Sequence, residues 1–256
     1  MENQVVNRPQ TESKFKLPTE TVELPSKGLL YSEDNPLSTG KVEMKYMTAR
    51  EEDILTNQNY IRQGVVIDKL LQSLITSDIN YNDLLIGDKN AIMVAARILA
   101  YGSNYEFNYD GEEKSIDLSS IESKPAREDL IVRGKNEFEF TLPHSKNVIT
   151  FKLLTHGDEI HMEREIKGLK KINKNASNEV TVRLARMIMS VNGSYETKDV
   201  RDFVNNYLLA KDAREFRNYY TQVSPDIDLE VEVEGNDGSI DTINIPITVN
   251  FFWPDA

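Results

Sequence analysis

The chain has 256 residues, of which 39% are hydrophobic and 28% charged, with a formal net charge of −12 and no cysteine. This balance is typical of a globular protein, and the negative charge argues against non-specific binding to nucleic acid. Without cysteine the chain has no disulfide, no thiolate zinc site and no cysteine nucleophile.

The first twenty residues are polar and predict a disordered N-terminal arm over 1–20. Residues 1–12 lack the apolar core of a secretory signal, and no apolar stretch is long enough to span a bilayer. After the arm, residues 21–24 alternate as in a short strand and residues 25–28 have turn chemistry.

Residues 41–47 alternate strictly and predict a strand. Thr48 followed by Glu51 predicts a capping box at the start of a helix over 49–56. Further helices are expected over 65–77 and over 89–101, the latter capped by Asp88 and ended by Gly102.

Asp110-Gly111 predicts a hairpin over residues 105–118. The second part of the chain repeats this order. It has strands over 137–142 and 148–154, a helix capped by Thr155, and an acidic hairpin that leads into an aromatic tail. Its further helices are expected over 178–191, 197–209 and 211–222, with the hairpin strands over 228–234 and 242–249.

These patterns predict an α+β fold in which helical clusters alternate with antiparallel β-hairpins. The expected organisation is the arm at 1–20, a first α+β half at 21–124 and a second at 125–256. Each half has a strand, a capped acidic helix start, helices and a closing hairpin, which suggests a degenerate two-fold internal duplication.

The sequence offers no constellation for catalysis. His156 and His161 are five residues apart, whereas two metal ligands on one helix face need a spacing of four. The three glutamates at 230, 232 and 234 could bind a cation, but an exposed hairpin face is the favoured interpretation. We therefore expect no enzyme activity, no cofactor and no metal.

Two segments have the features of protein–protein contact sites. One follows the arm, because arms of this kind often become ordered on a neighbouring protein. The other is the C-terminal aromatic segment, since aromatic side chains are enriched at interface hot spots, although core packing would also account for it. The predicted partner-binding residues are Leu24, Pro25, Gly28, Leu29, Leu30, Tyr31, Phe251, Phe252 and Trp253.

The same segments carry a family resemblance. Residues 24–31 (LPSKGLLY), residues 44–55 (MKYMTAREEDIL) and the ending NFFWP over 250–254 resemble the T4-type bacteriophage baseplate proteins, the hub-related structural or assembly proteins of contractile-tailed phages. Residues 84–88 (LLIGD) and 96–102 (ARILAYG) fit the same pattern. Relatives in that family often carry Cys-x-x-Cys pairs in their hairpins. This chain has none, so the resemblance does not imply zinc.

The resemblance implies a non-enzymatic role in building the baseplate hub, through contacts with other phage baseplate or tail proteins, in several copies per particle. No nucleic acid or membrane partner is expected. The resemblance also implies a location: the host cytoplasm during assembly, and the virion baseplate if the protein is structural. The alternative is a tail assembly chaperone or adaptor that is absent from the mature virion. A host-directed enzyme or a metal-binding protein is a third, less favoured hypothesis.

Overall fold

Helices and small antiparallel sheets alternate along the chain, so the predicted α+β class is confirmed. The coordinates are a computed structural model, which describes residues 17–124, 127–172, 178–235, 238–245 and 247–252.

The strands are short, and most pair with a neighbour in sequence. They are β1 (Thr19–Glu23), β2 (Lys41–Lys45), β3 (Asn104–Tyr109), β4 (Glu112–Asp117), β5 (Ser123–Lys124), β6 (Phe138–Thr141), β7 (Val148–Phe151), β8 (Ile188–Val191), β9 (Asp226–Ile227), β10 (Glu230–Glu234) and β11 (Ile240–Asn244).

The helices fill the segments between these strands, and α7 continues as a π-helix over Phe203–Tyr207. They are α1 (Ala49–Leu55), α2 (Gln58–Gln63), α3 (Val66–Leu74), α4 (Ile86–Tyr101), α5 (His156–Ile172), α6 (Glu179–Met187), α7 (Thr197–Asp202), α8 (Ala210–Val223) and α9 (Val249–Phe252).

All the strand pairings are antiparallel. Strands β1–β2, β3–β4 and β10–β11 form separate two-stranded sheets, and β6–β7–β8 form a three-stranded one. One pairing joins distant parts of the chain: Ser123 of β5 lies opposite Ile227 of β9. The middle of the chain is therefore tied directly to its last quarter.

The structure corrects the helix that was predicted over 178–191. Helix α6 ends at Met187, and residues 188–191 leave it as β8, which pairs with β7. Ile188 and Ser190 are buried while their neighbours are partly exposed, so the segment has the period of two that a strand requires. Sheet pairing therefore decides the conformation here, against a helical apolar pattern.

Other element boundaries differ from the sequence predictions as well; α3, for example, ends at Leu74, and β7 at Phe151. Helix α4 begins at Ile86, so Asp88 lies inside its first turn and is not the N-cap. The return strand of the last hairpin, predicted over 242–249, is β11 and ends at Asn244. The segment before the end of the described chain forms the helical turn α9 instead.

The predicted disordered arm over 1–20 ends inside β1. Thr19 and Glu20 pair with Lys45 and Met44 of β2, which corrects the arm's C-terminal boundary. Residues 1–16 lie outside the described residues, so the disorder predicted for them stays a prediction.

One buried apolar cluster contains side chains from both predicted halves. Leu71 and Ile92 contribute to it from the first half, and Phe151 and Phe216 from the second; all four are fully buried. Ring contacts cross the boundary as well, since Tyr105 of β3 lies 5.0 Å from Phe251 of α9. The division at residue 124 stays a prediction, but the two segments share a core.

The first capped helix start is a polar cluster beneath β2, which we name the first capping box: Lys45, Thr48 and Glu51. The buried Glu51 carboxylate accepts hydrogen bonds from Thr48 N (3.0 Å) and Thr48 Oγ1 (2.6 Å). Lys45 Nζ lies 2.8 Å away, and Ser73 Oγ of α3 donates at 2.7 Å. The predicted capping interaction is confirmed, and the carboxylate also joins β2, α1 and α3.

A second capping box follows β7 and consists of Lys152, Thr155 and Asp158. Asp158 is buried, accepts from Thr155 N (3.1 Å) and is ion-paired to Lys152 Nζ at 2.8 Å. Arg186 Nε, at the end of α6, lies 2.6 Å from the same carboxylate. The Lys-x-x-Thr-x-x-acid spacing is identical in the two boxes, and each follows a strand.

Candidate partner-binding site

The loop over residues 24–31 is fixed to the start of α4 by one buried carboxylate. Asp88 accepts hydrogen bonds from Ser26 N (2.9 Å), Ser26 Oγ (2.7 Å) and Tyr31 Oη (2.6 Å). Leu85 N in turn donates to Tyr31 Oη at 2.9 Å. Asp88 is completely buried, so each of these bonds is shielded from water.

Burial also shapes the protonation of this network. Burial raises the pKa of the Asp88 carboxyl, while the hydrogen bonds donated by Tyr31 and Ser26 offset part of that rise. Burial raises the pKa of the Tyr31 hydroxyl far above its usual range, and the nearby Asp88 charge adds to the rise. Tyr31 therefore keeps its proton and acts as a donor to Asp88.

The residues of this loop that were predicted to bind a partner lie mostly inside the chain's own core. Leu24, Leu30 and Tyr31 are 3%, 3% and 7% exposed, and Pro25 and Gly28 are buried as well; Leu29 is partly exposed. Gly28 has a φ of +75°, and a Cβ there would lie 2.4 Å from Ser38 O. Only glycine fits this position, so the motif is explained by loop packing.

The loop between β6 and β7 has an equivalent anchor. Asp212, fully buried in the first turn of α8, accepts from His144 N (2.8 Å) and Ser145 N (2.9 Å). Asp88 occupies the same third position of α4 and holds Ser26 of the β1–β2 connection. In both parts of the chain, a first-turn aspartate therefore fixes a Leu-Pro loop between two strands.

The C-terminal aromatic segment is also part of the core as far as it is described. Phe251 and Phe252 have no exposed surface, and their rings meet edge-to-face at 5.2 Å. Phe251 also contacts Tyr105 of β3. Both phenylalanines therefore pack within this chain, whereas Trp253 lies outside the described residues.

A polar cluster lies where α3, α4 and α5 meet. Lys89 Nζ is 2.9 Å from Asp68 Oδ1, 3.0 Å from His156 Nδ1 and 3.4 Å from Glu159 Oε2. The His156 ring packs edge-on against Tyr81 at 4.7 Å. Lys89 is held between two carboxylates, so this cluster has the geometry of an ion-pair network that joins α3, α4 and α5.

The backbone reinforces this junction. Leu85 and Thr155 form an antiparallel bridge, Ile86 N donates to Leu154 O (3.1 Å), and His156 N donates to Leu84 O (2.8 Å). Burial alone would raise the pKa of Glu159, but hydrogen bonding to His156 and the charge of Lys89 bring it below its usual value. The starts of α4 and α5 are thus locked together by both main chain and charge.

Next to this junction lies a cavity of about 480 Å³. Its apolar wall includes Leu153, Leu154 and Met187, and Tyr220 closes one side with its hydroxyl bound to Leu154 N at 2.9 Å. Burial raises the pKa of Tyr220 to about 12, so this hydroxyl stays protonated. Gly87 of α4 also lines the cavity.

Two arginines on different helices line the same cavity. Arg183 lies on α6 and Arg217 on α8, and both are exposed. Over the described ranges neither guanidinium has an ion-pair partner. The remaining cation, Lys124, is paired with Asp228 at 3.3 Å. Asp226, which also lines the cavity, accepts hydrogen bonds from Asn90 Nδ2 (3.0 Å) and Ile227 N (2.8 Å).

Sequence reasoning found neither the arginine pair nor the role of Asp88. The arginines are 34 positions apart in the chain and meet only because α6 and α8 pack around the same cavity. Asp88 had a visible signal, an acid at a helix start, but its partners lie 57 and 62 residues away. Local patterns do not reveal such contacts.

Within the described part of the chain, no group of three or more histidine, aspartate or glutamate side chains has a geometry that could hold a metal ion. Among the same residues, no helix is long and apolar enough to cross a membrane.

Comparison with known proteins gives one match. The model of a family described as T4 bacteriophage base plate protein matches residues 17–253, which is most of the chain. No match was found among curated proteins or among solved structures.

Proposed function

Because the chain belongs to the T4 bacteriophage base plate protein family, we propose that it is a non-enzymatic component of the hub region of a contractile-tail baseplate. The family itself supports a structural or assembly role in the phage baseplate. The hub location and the absence of catalysis are our proposals. Its partners would be other baseplate or tail proteins, bound in several copies per particle.

A non-catalytic role is supported by what the buried carboxylates do: they accept hydrogen bonds from the chain's own loops and helix starts. Glu51, Asp88, Asp158 and Asp212 are the buried carboxylates among the described residues, and each accepts hydrogen bonds that fix a loop or a helix start. Catalytic acids typically face a cleft that admits a substrate. These four instead hold a rigid scaffold together.

The residues proposed for partner binding fit an indirect role. The loop over 24–31 and the two C-terminal phenylalanines are mostly buried, so we propose that they shape the surface that a partner meets. Direct contact would then fall on exposed residues, such as Lys27 within the loop, or Tyr207 and Leu209 between α7 and α8. Exposed aromatic and aliphatic side chains of this kind suit interfaces.

We further propose that the two α+β halves arose by duplication of one unit. The equal spacing of the two capping boxes supports this, as do the matched first-turn aspartates Asp88 and Asp212. Lys27 and Lys146, in the two Leu-Pro loops, share a positive φ of 51° and 62°. Each half also closes with a hairpin, β3–β4 and β10–β11.

A second candidate function is a tail assembly chaperone or adaptor that is absent from the mature virion. Quantitative mass spectrometry of purified particles, compared with partly assembled hub complexes from the same infection, separates the two. The structural form predicts the protein in both fractions at a fixed ratio to other hub proteins. Its presence only in the partly assembled complexes would favour the chaperone, and its absence from both would contradict either role.

A further inference from the structure

We propose that the cavity lined by Arg183 and Arg217 is a docking site for an acidic segment of a partner protein that inserts one apolar side chain. This surface, the arginine cavity, comprises those two residues with Leu153, Leu154, Met187 and Tyr220. The inference goes beyond the proposed function and depends only on the binding properties of the isolated chain.

Charge is the first argument. The chain has a net charge of −12, yet two guanidinium groups border one cavity without an ion-pair partner in the described ranges. By contrast, Arg186 and Arg201, which line another cavity, are each paired with a carboxylate. A planar guanidinium binds a carboxylate through two parallel hydrogen bonds. The arginine cavity thus presents unused donors that match acidic side chains.

The shape and lining of the cavity supply the second argument. Its volume of about 480 Å³ lies within the range of roughly 300–1,000 Å³ that is usual for ligand pockets. Leu153, Leu154 and Met187 contribute apolar side chains to its wall, and the Tyr220 hydroxyl is already bound to Leu154 N. The interior of the cavity therefore favours an apolar side chain of the partner, while the arginines favour negatively charged side chains next to it.

The start of α4 lines the cavity through Ile86 and Gly87 but adds no free positive charge. Its first turn holds the buried Asp88 carboxylate, and Ile86 N already donates to Leu154 O. Asp226 also lines the cavity, where Asn90 Nδ2 and Ile227 N donate to its carboxylate. The two arginines therefore supply the charge that favours an anion at this place.

A protein segment fits this site better than a nucleic acid does. A nucleic acid would bring many phosphates to a chain whose net charge is −12, and among the described residues only two unpaired cations line the cavity. An apolar side chain flanked by aspartate or glutamate satisfies both the arginines and the apolar wall. We therefore assign the site to an acidic peptide segment.

The test uses the full-length protein and a fluorescein-labelled synthetic peptide in which aspartates flank a central leucine. Fluorescence anisotropy should show saturable binding that weakens with added salt, since the contacts are partly ionic. Two matched peptides, one with lysine for aspartate and one with serine for leucine, should bind at least about tenfold more weakly.

Variants locate the binding on the cavity. Arg183→Gln and Arg217→Gln should each lower the affinity for the peptide by about tenfold, the expected loss for one charge-assisted contact. Arg62→Gln is the matched control, because Arg62 is an exposed arginine of α2 that does not line the cavity. Thr221→Trp, at the exposed rim, should block the cavity without a change of charge.

The proposal would be overturned by any of three results. These are the absence of binding by the aspartate–leucine peptide, equal binding by the lysine peptide, or equal affinity in Arg183→Gln, Arg217→Gln and wild type. Displacement of the peptide by a single-stranded oligothymidine would also overturn it, in favour of a nucleic-acid site. Unchanged melting temperatures in the glutamine variants would confirm that any loss of binding is local.

Discussion

Tyr31 donates a hydrogen bond of 2.6 Å to the buried carboxylate of Asp88, a residue 57 positions further along the chain. This bond, with the two that Ser26 donates, fixes the Leu-Pro loop against the first turn of α4. Leu85, just before α4, also bridges to Thr155 ahead of α5. Because Leu85 N also donates to Tyr31 Oη, the Tyr31–Asp88 bond is directly connected to the junction between α4 and α5.

Removing the Asp88 carboxylate should strongly destabilise the fold. Asp88→Ala leaves the two Ser26 donors and the Tyr31 hydroxyl buried without an acceptor. Stranded buried donors cost about 1–3 kcal/mol each, so we expect the free energy of unfolding to fall by about 3–5 kcal/mol. Urea unfolding followed by circular dichroism measures the change.

Asp78→Ala is the matched control for this substitution. Asp78 is exposed, and its replacement should change the free energy of unfolding by less than about 0.5 kcal/mol. Equal changes in the free energy of unfolding for the two substitutions would contradict a stabilising role of the Asp88 hydrogen bonds.

Glu51 should make stability depend on acid pH. Burial alone would raise its pKa, but the hydrogen bonds from Lys45, Thr48 and Ser73 lower it from the usual 4.5 to about 2. The carboxylate therefore binds protons more weakly in the folded state than in the unfolded one. Its contribution, on the order of 3 kcal/mol, is present above pH 4.5 and is lost as the pH falls towards 2.

Glu51→Gln isolates this contribution, because glutamine does not titrate. The free energy of unfolding of the variant should be lower than that of wild type at neutral pH, and the difference should shrink between pH 4.5 and 2. A difference that stays constant over this range would contradict the lowered pKa of Glu51.

The close approach of α4 to the segment before β9 depends on Gly87. A Cβ at this position would lie 1.9 Å from Pro225 O, so Gly87→Ala must displace backbone. We expect a loss of about 1–3 kcal/mol in thermal or urea unfolding. Gly168→Ala, within α5 with nothing near the added Cβ, should instead stabilise by about 0.5–1 kcal/mol.

The packing of the C-terminal aromatic segment is tested by Phe251→Ala. Because Phe251 is fully buried against Tyr105 and Phe252, the free energy of unfolding should fall by about 3–5 kcal/mol. Ile240→Ala, at a side chain that is 70% exposed, should change it by less than about 0.5 kcal/mol. An unchanged melting temperature in Phe251→Ala would contradict the core packing of this side chain.

Local features of the fold were predictable from the sequence. Thr48 and Glu51 form the expected box, and the Asp110-Gly111 turn joins β3 to β4 with positive φ at both residues. Helix α4 ends at Tyr101, with Gly102 as the C-cap, as expected. Each of these features depends on residues within a few positions of one another, so the local sequence pattern is enough to predict it.

Features that depend on distant contacts were not predictable in the same way. The segment 188–191 has a helical apolar pattern, but pairing with β7 makes it a strand. The anchoring role of Asp88 and the convergence of Arg183 with Arg217 both require the folded chain. The loop over 24–31 was predicted as a partner-contact segment, but it is mostly buried and is bonded to Asp88 of α4, a contact that local patterns do not show.

The most direct test of the proposed baseplate role is to interrupt the gene in the phage that encodes this chain and to examine the lysate by electron microscopy. We predict heads without completed baseplates or contractile tails, with assembly restored by wild-type protein or by Asp78→Ala supplied in trans. Asp88→Ala should restore little, because it weakens the fold. Normal numbers of complete, infectious particles without the gene would contradict the account.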